Sequence, residues 1–224
     1  MLAALREMFP ELASEVERRR KRDPFKTLVH TMLSQITNRE NTLAAYRRLE
    51  ELVGVEPERL ARAPLELIEE AIRPAGLYKR RAQRIKDVAN EILDKFGGDL
   101  ESLSRLDTKE LREVLRALPG VGAKTADVLL LFSYGRPVMP VDTHIARIAK
   151  RIGLVNESAG YEEIRSKLES AIPADAMAFA HLALIEFGRR ICKPRRPRCE
   201  KCPISDVCPR IGVERTRRGG SGRL

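Results

Sequence analysis

Four cysteines stand near the end of the chain as Cys192-(six residues)-Cys199-(two)-Cys202-(five)-Cys208, and they are all the cysteines it has. Thiolates at fixed spacing hold a metal centre, and soft sulfur ligands select zinc or an iron–sulfur cluster. Structural zinc sites commonly pair two C-x2-C hairpins, whereas only Cys199–Cys202 has that form here. The array also departs from the ferredoxin run, although Pro209 follows Cys208. Spacing therefore favours a cluster, with zinc as the alternative. The loop carries Lys193, Arg195, Arg196, Arg198 and Lys201, a cationic lobe suited to a phosphate backbone.

Upstream lies Leu118-Pro119-Gly120-Val121-Gly122-Ala123-Lys124, followed by Val141-Asp142-Thr143-His144. Both glycines of the first segment can take positive φ in a hairpin between two helices. The hairpin either is simply tight or leaves backbone N–H groups at the second helix to bind a phosphate oxygen. Lys124 falls on the first turn after it. A helix N-terminus disfavours an ammonium, so the neutral amine could attack a sugar carbon and form a Schiff base. The other role for Lys124 is a point charge on phosphate. Asp142 reads as an N-cap and as a carboxylate that stabilises positive charge or moves protons for Lys124, and the two roles are compatible. His144 reads as structural or phosphate-facing.

The elements that position these groups are helical. Leu28, Met32 and Leu33 share one face, as do Leu43, Tyr46, Leu49 and Leu52. Asp107-Thr108 before Glu110 predicts a capped start, and Leu111, Val114, Leu115 and Leu118 a buried stripe that Pro119-Gly120 ends. Further helices are expected from Lys124 to Phe132, from Asp142 or Thr143 with Ile145, Ile148 and Ile152 inward, and from Ala178 to Phe187. No alternating strand is evident, so the fold class is all-α. The tail from Arg215 has nothing to bury and is expected to be disordered.

Lys and Arg number 42 against 32 Asp and Glu, a formal charge of +10 that suits a polyanionic partner. The abundance of Glu, Arg and Lys with only six Asn or Gln also fits a thermophile's charged surface. No stretch approaches the roughly 18 apolar residues of a membrane span. The N-terminus lacks the order of regions that marks a secretory signal. A reducing, cytoplasmic setting is expected, which counts against disulfides.

On Leu118 to Ala126, Val141 to Arg147 and the cysteine array, taken in order, the chain resembles the endonuclease III family of helix–hairpin–helix DNA glycosylases. The likeness runs from about Phe25 to Cys208. It implies a 4Fe–4S cluster on Cys192, Cys199, Cys202 and Cys208. It also implies two helical domains flanking a DNA-binding cleft: a six-helix barrel over 25–135 whose helix–hairpin–helix covers about 108–132, and a discontinuous domain of 1–24 and 136–210 with the cluster loop at 192–208, followed by a basic tail, 211–224. Lys124 would be the nucleophile and Asp142 the essential aspartate. Gly120, Val121, Gly122, Gln35, Leu77, His144, Arg195, Arg196 and Arg198 would contact DNA, with Leu77 either a wedge in the gap left by a flipped base or an ordinary core leucine. The implied substrate is double-stranded DNA carrying oxidised or ring-saturated pyrimidines or abasic sites. The implied enzyme is a monomer associated with the nucleoid, with no membrane partner.

Two positions depart from the family pattern. Ile36 stands where a polar amide is usual, and Arg39 where an acid is common, which bears on opposite-base preference. Branches without lyase activity place serine or tyrosine at the position of Lys124, so lysine argues for the bifunctional branch. The alternatives are a thymine/uracil mismatch glycosylase and a noncatalytic DNA-binding protein with a structural metal.

Overall fold

Capping residues set where the helices begin in the computed structural model, which describes residues 1–20, 22–35 and 37–213. The expectations for Ile36 and for the tail from Arg215 lie outside the described residues. Asp107 accepts from the N–H groups of Lys109 and Glu110, while Glu110 accepts from the N–H of Asp107. This reciprocal capping box starts a helix, as expected. Twelve α-helices and no strand occur among the described residues, which is the all-α class anticipated. No single helix among them is long and apolar enough to cross a membrane.

Two compact units emerge, Ala13–Pro140 and the discontinuous Met1–Leu12 with Val141–Leu224. The divisions fall after residues 12 and 140, where the sequence led us to expect 24 and 135. The helix that follows Leu12 explains the first shift. Its Arg19, bonded to Glu15 on the same helix, places a guanidinium 5.6 Å from the Phe132 ring centroid, and that contact ties the helix to the larger unit.

The larger unit contains α2 (Leu12–Arg19, entering from the other unit), α3 (Pro24–Leu33), α4 (Arg39–Leu52), α5 (Pro57–Arg62), α6 (Leu65–Ile72), α7 (Tyr78–Phe96), α8 (Thr108–Arg116) and α9 (Ala123–Phe132). One apolar core joins Leu28, Val29 and Leu33 of α3 to Ile85, Val88 and Ile92 of α7 and to Leu129 and Leu130 of α9. On α4 the inward stripe is Thr42, Ala45 and Leu49 with Tyr46 half-buried. Leu43 and Leu52 are exposed, against expectation. The apolar run of α4 is wider than the face its neighbours cover, and the small Ala45 lets the helices close.

Between α8 and α9, Arg112 Nε donates to Asp127 Oδ1 at 2.6 Å and its Nη2 to Oδ2 at 3.1 Å. The carboxylate is 0% exposed and the guanidinium side chain 13%. A planar fork on a carboxylate fixes orientation as well as distance, so the two hairpin helices are held in one register. Elsewhere, burial and the nearby cations Arg19, Arg22 and Arg39 hold the His30 imidazole down at about 4, against a weak opposite pull from Glu15. Its ring lies tilted against Tyr46.

The smaller unit contains α1 (Leu2–Met8), α10 (Thr143–Arg151), α11 (Tyr161–Ala171) and α12 (Met177–Arg190), followed by the cysteine loop. Ile145 and Ile148 of α10 are buried as expected, while Ile152, just past the helix end, is half-buried. At Gly188 of α12 an added Cβ would come within 2.7 Å of His144 Cβ, so only glycine allows α10 this close.

The ion pair and the buried imidazole each predict a stability effect. Asp127→Ala should lower the free energy of unfolding by about 3–5 kcal/mol in urea, because it leaves a buried guanidinium without its carboxylate; replacing both partners with apolar residues should cost much less. For His30, the unfolded chain takes up the proton near the ordinary value of 6.5 and the folded chain only near 4, so stability is full above the first value and falls as pH drops through that window. His30→Gln should flatten that part of the pH profile.

Candidate functional site

The turn joining α8 to α9 takes its shape from Gly120, whose φ is +75°. That region is open to glycine and strained for most side chains. Gly122 does not share it: its φ is −87°, in extended backbone as the N-cap of α9, so one glycine rather than two turns the chain. Gly122 brings no side chain to cap the helix, and the first-turn amides of α9 receive no side-chain cap. Val121 is buried against the core and pins the turn between the two exposed glycines. Lys124, half-buried, sits on the first turn of α9. Uncapped amides at a helix N-terminus form an anion site, and a lysine beside it adds a donor.

In the smaller unit Asp142 is the N-cap of α10, its Oδ1 accepting from Ile145 N–H at 2.8 Å. Capping holds the carboxylate at a fixed angle and leaves Oδ2 outside that bond. His144 is half-buried against Gly188, and its Nδ1 lies 3.1 Å from Arg147 Nη2. Arg147 also donates to Gly188 O and Cys192 O, each at 2.9 Å. One turn on, Arg151 donates to the carbonyls of Lys193 at 2.6 Å and Pro194 at 2.9 Å. A single helix thus carries Asp142 at its start and grips the cysteine loop with two arginines. Arg147 closes the Val141–Arg147 motif without a role assigned to it there, and for Arg151 the available signal is its place beside the apolar Ile148 and Ile152.

All four cysteines line one small pocket, walled by Ile152, Phe187, Ile191 and Ile204. Arg151 Nη1 approaches Cys192 Sγ at 3.5 Å. Burial first, and then the neighbouring thiols Cys208, Cys192 and Cys199, push the Cys202 thiol up. Four crowded, partly buried thiols hold their charge only if a cation shares it. Among the described residues no group of three or more His, Cys, Asp or Glu is gathered tightly enough for one metal ion. Four sulfur donors lining one pocket suit a soft metal centre, zinc or an iron–sulfur cluster. Arg195, Arg196 and Arg198 are exposed on the intervening loop, with Arg196 at a φ of +50°.

Two further predicted residues belong to the larger unit. Leu77 is 62% exposed, so it is no core leucine. Its φ of +49° and ψ of +30° put a branched side chain in the left-handed region at the start of α7. Strain of about 1–2 kcal/mol, at a residue that buries little in return, marks a position kept for something other than packing. Gln35 is half-buried, and its carbonyl accepts from Arg81. Arg39, the first residue of α4 after the Asn38 cap, is exposed.

Comparison with known proteins places these features in a family. Residues 29–174 match the HhH-GPD superfamily of base excision DNA repair proteins, and residues 192–208 the iron–sulfur binding domain of endonuclease III. Endonuclease III of Thermotoga maritima is 36% identical over 97% of both chains. Endonuclease III of Sulfolobus acidocaldarius is 38% identical over 84% of this chain and 82% of its own. Among solved structures, a trapped endonuclease III–DNA covalent intermediate aligns with a TM-score of 0.79 at 31% identity, over 93% of this chain and 92% of that one. The purified protein should be brown and contain about four iron atoms per chain by metal analysis. Cys202→Ser should lower the iron content and loosen the 192–208 loop to proteolysis, whereas a colourless protein containing zinc would refute the cluster.

Proposed function

The chain belongs to the endonuclease III family within the HhH-GPD superfamily of base excision DNA repair proteins, and from that premise we propose that it is a bifunctional DNA glycosylase and abasic-site lyase. Its substrates are oxidised or ring-saturated pyrimidines, such as thymine glycol, and abasic sites in duplex DNA. The observation that carries the reading is Lys124 on the first turn of α9, directly after a glycine turn whose helix start has no capping side chain. The helix N-terminus draws a DNA phosphate to the N–H groups near Gly120 and Gly122, and that contact presents the sugar to the amine.

The enzyme kinks the duplex, Leu77 fills the space left in the stack, and the damaged nucleotide swings out. Lys124, as the neutral amine, attacks C1′. The C1′–N bond breaks and the base leaves with its electron pair, taking up a proton. Asp142 accepts the proton from the Lys124 nitrogen and stabilises positive charge at the sugar. The nitrogen lone pair then forms the C1′=N Schiff base as the C1′–O4′ bond breaks, and O4′ takes the proton held by Asp142 to become the 4′ hydroxyl. Removal of a proton from C2′ then expels the 3′ phosphate by β-elimination and nicks the strand. Bound on Cys192, Cys199, Cys202 and Cys208, the cluster supplies structure, ordering the loop so that Arg195, Arg196 and Arg198 meet the DNA backbone. His144 faces phosphate from the same helix as Asp142. The protein works as a monomer on chromosomal DNA in the cytoplasm, at the nucleoid.

Borohydride reduction during turnover of a thymine glycol duplex should give a covalent protein–DNA band. Lys124→Ala should abolish the band, and Asp142→Asn should reduce its rate of formation by on the order of 100-fold or more while DNA binding persists. No band with this lesion or with an abasic site, from intact protein that binds DNA, would sink the lyase assignment.

A further inference from the structure

Two segments of the larger unit that contact DNA under the glycosylase reading, the Leu77 turn and the stretch ending at Gln35, are far apart in sequence and joined by one side chain. Arg81, on the second turn of α7, is 7% exposed. Its Nη1 donates to Leu33 O at 3.2 Å and to Ala75 O at 2.9 Å, and its Nη2 donates to Gln35 O. Leu33 is the last residue of α3, and Ala75 ends the short 3-10 helix that precedes the Leu77 turn. Both carbonyls belong to helix ends, where no intrahelical partner remains. A cation is also the favourable charge at a helix C-terminus.

The guanidinium thus closes two helix ends and fixes the spacing between the segments that leave them. After Leu33 come Ser34 and Gln35. After Ala75 come Gly76, at a φ of +71°, and Leu77, exposed and left-handed. Arg73, in the same turn, lies 5.2 Å from the Tyr78 ring centroid and closes the far side of the bend. Among the described residues no backbone hydrogen bond joins the two segments; a guanidinium reaches them from two nitrogens held in one plane, whereas an ammonium would have to do so from a single atom.

We propose that Arg81 is a positioning residue for base flipping: it holds the Leu77 wedge and the Gln35 segment as one rigid unit, so that both enter the duplex in register when the nucleotide leaves the stack. The proposal rests on the glycosylase reading. It makes Arg81 matter for the duplex steps and not for the chemistry at Lys124. Extrusion is needed in double-stranded DNA, whereas a single-stranded abasic site presents its sugar without it.

The test measures single-turnover base release from a thymine glycol duplex, 2-aminopurine fluorescence beside the lesion as a report of unstacking, and borohydride trapping on a single-stranded abasic oligonucleotide. The proteins are wild type, Arg81→Met, Arg81→Lys, Leu77→Ala and the Leu77→Ala/Arg81→Met pair, each as cluster-loaded full chain. Misplacing a positioning group by an ångström costs on the order of 100-fold, so Arg81→Met should slow duplex base release by roughly 10- to 100-fold and reduce the fluorescence change in proportion. Arg81→Lys should fall between it and wild type, and single-stranded trapping should stay within about twofold of wild type in both. Residues acting as one unit are non-additive, so the double variant should be slower than Leu77→Ala by clearly less than the Arg81→Met effect alone, the remainder being the Gln35 segment. Should Arg81→Met fail to fold, Arg81→Lys is read against the same three measurements. Equal losses on duplex and single-stranded substrates, duplex rates like wild type, or additive effects in the double variant would each overturn the proposal. Failure of wild type to trap any abasic site would instead overturn the lyase reading beneath it.

Discussion

Carbonyl groups at a helix end have no partner within the helix, and among the described residues long cationic side chains take several of them up, three arginines above all. Arg81 bonds the carbonyls of Leu33, Gln35 and Ala75. Arg147 bonds those of Gly188 and Cys192, and Arg151 those of Lys193 and Pro194. Each arginine stands on a regular helix and donates to the last turn of another helix, to the irregular chain after it, or to both. A buried carbonyl left unpaired costs about 1–3 kcal/mol, so these bonds decide whether the loops have one conformation or several. Two of the segments proposed to work on DNA, the Leu77 turn with the Gln35 stretch and the cysteine loop, are held this way.

The same logic explains why the cluster loop follows α12 and folds against α10. Seventeen residues rich in charge and proline cannot bury a core of their own. They are ordered by four sulfurs around one cavity and by the guanidiniums of Arg147 and Arg151 on a helix whose first turn is capped by Asp142. Gly188 lets that helix approach α12 closely enough for His144 to sit on its backbone. Sulfur ligation and carbonyl capping are complementary: the first sets where the loop passes, the second how its peptide planes face.

The hairpin is stabilised differently. The α8–α9 turn relies on a bidentate ion pair, Arg112 with Asp127, and on Val121 turned into the core. A rigid turn matters for any role in which backbone amides meet phosphate, because amides cannot adjust as long side chains can. In Leu77 the chain keeps backbone strain on an exposed apolar side chain, and the neighbouring Arg81 bonds make that conformation persist.

The all-α class was legible because capping residues and 3.6-residue periodicity are local properties: Asp107 with Glu110, and Leu111 with Leu115, declare their helix without reference to the rest of the chain. The cysteine array and the glycine turn beside Lys124 were legible for a similar reason, since spacing along the chain limits which groups can converge. Exposure was not. Leu43 and Leu52 looked like core and face solvent, Leu77 could equally have been core, and Gly122 needed no positive φ. Nor could Arg81, Arg112 or Arg151 be told from the chain's many surface arginines, and the motif that ends at Arg147 did not say what its guanidinium bonds. Periodicity says which residues share a face. Which carbonyls end up orphaned, and which guanidinium lies within about 3 Å of them, depends on segments tens of residues apart meeting in space, and only the tertiary structure decides that.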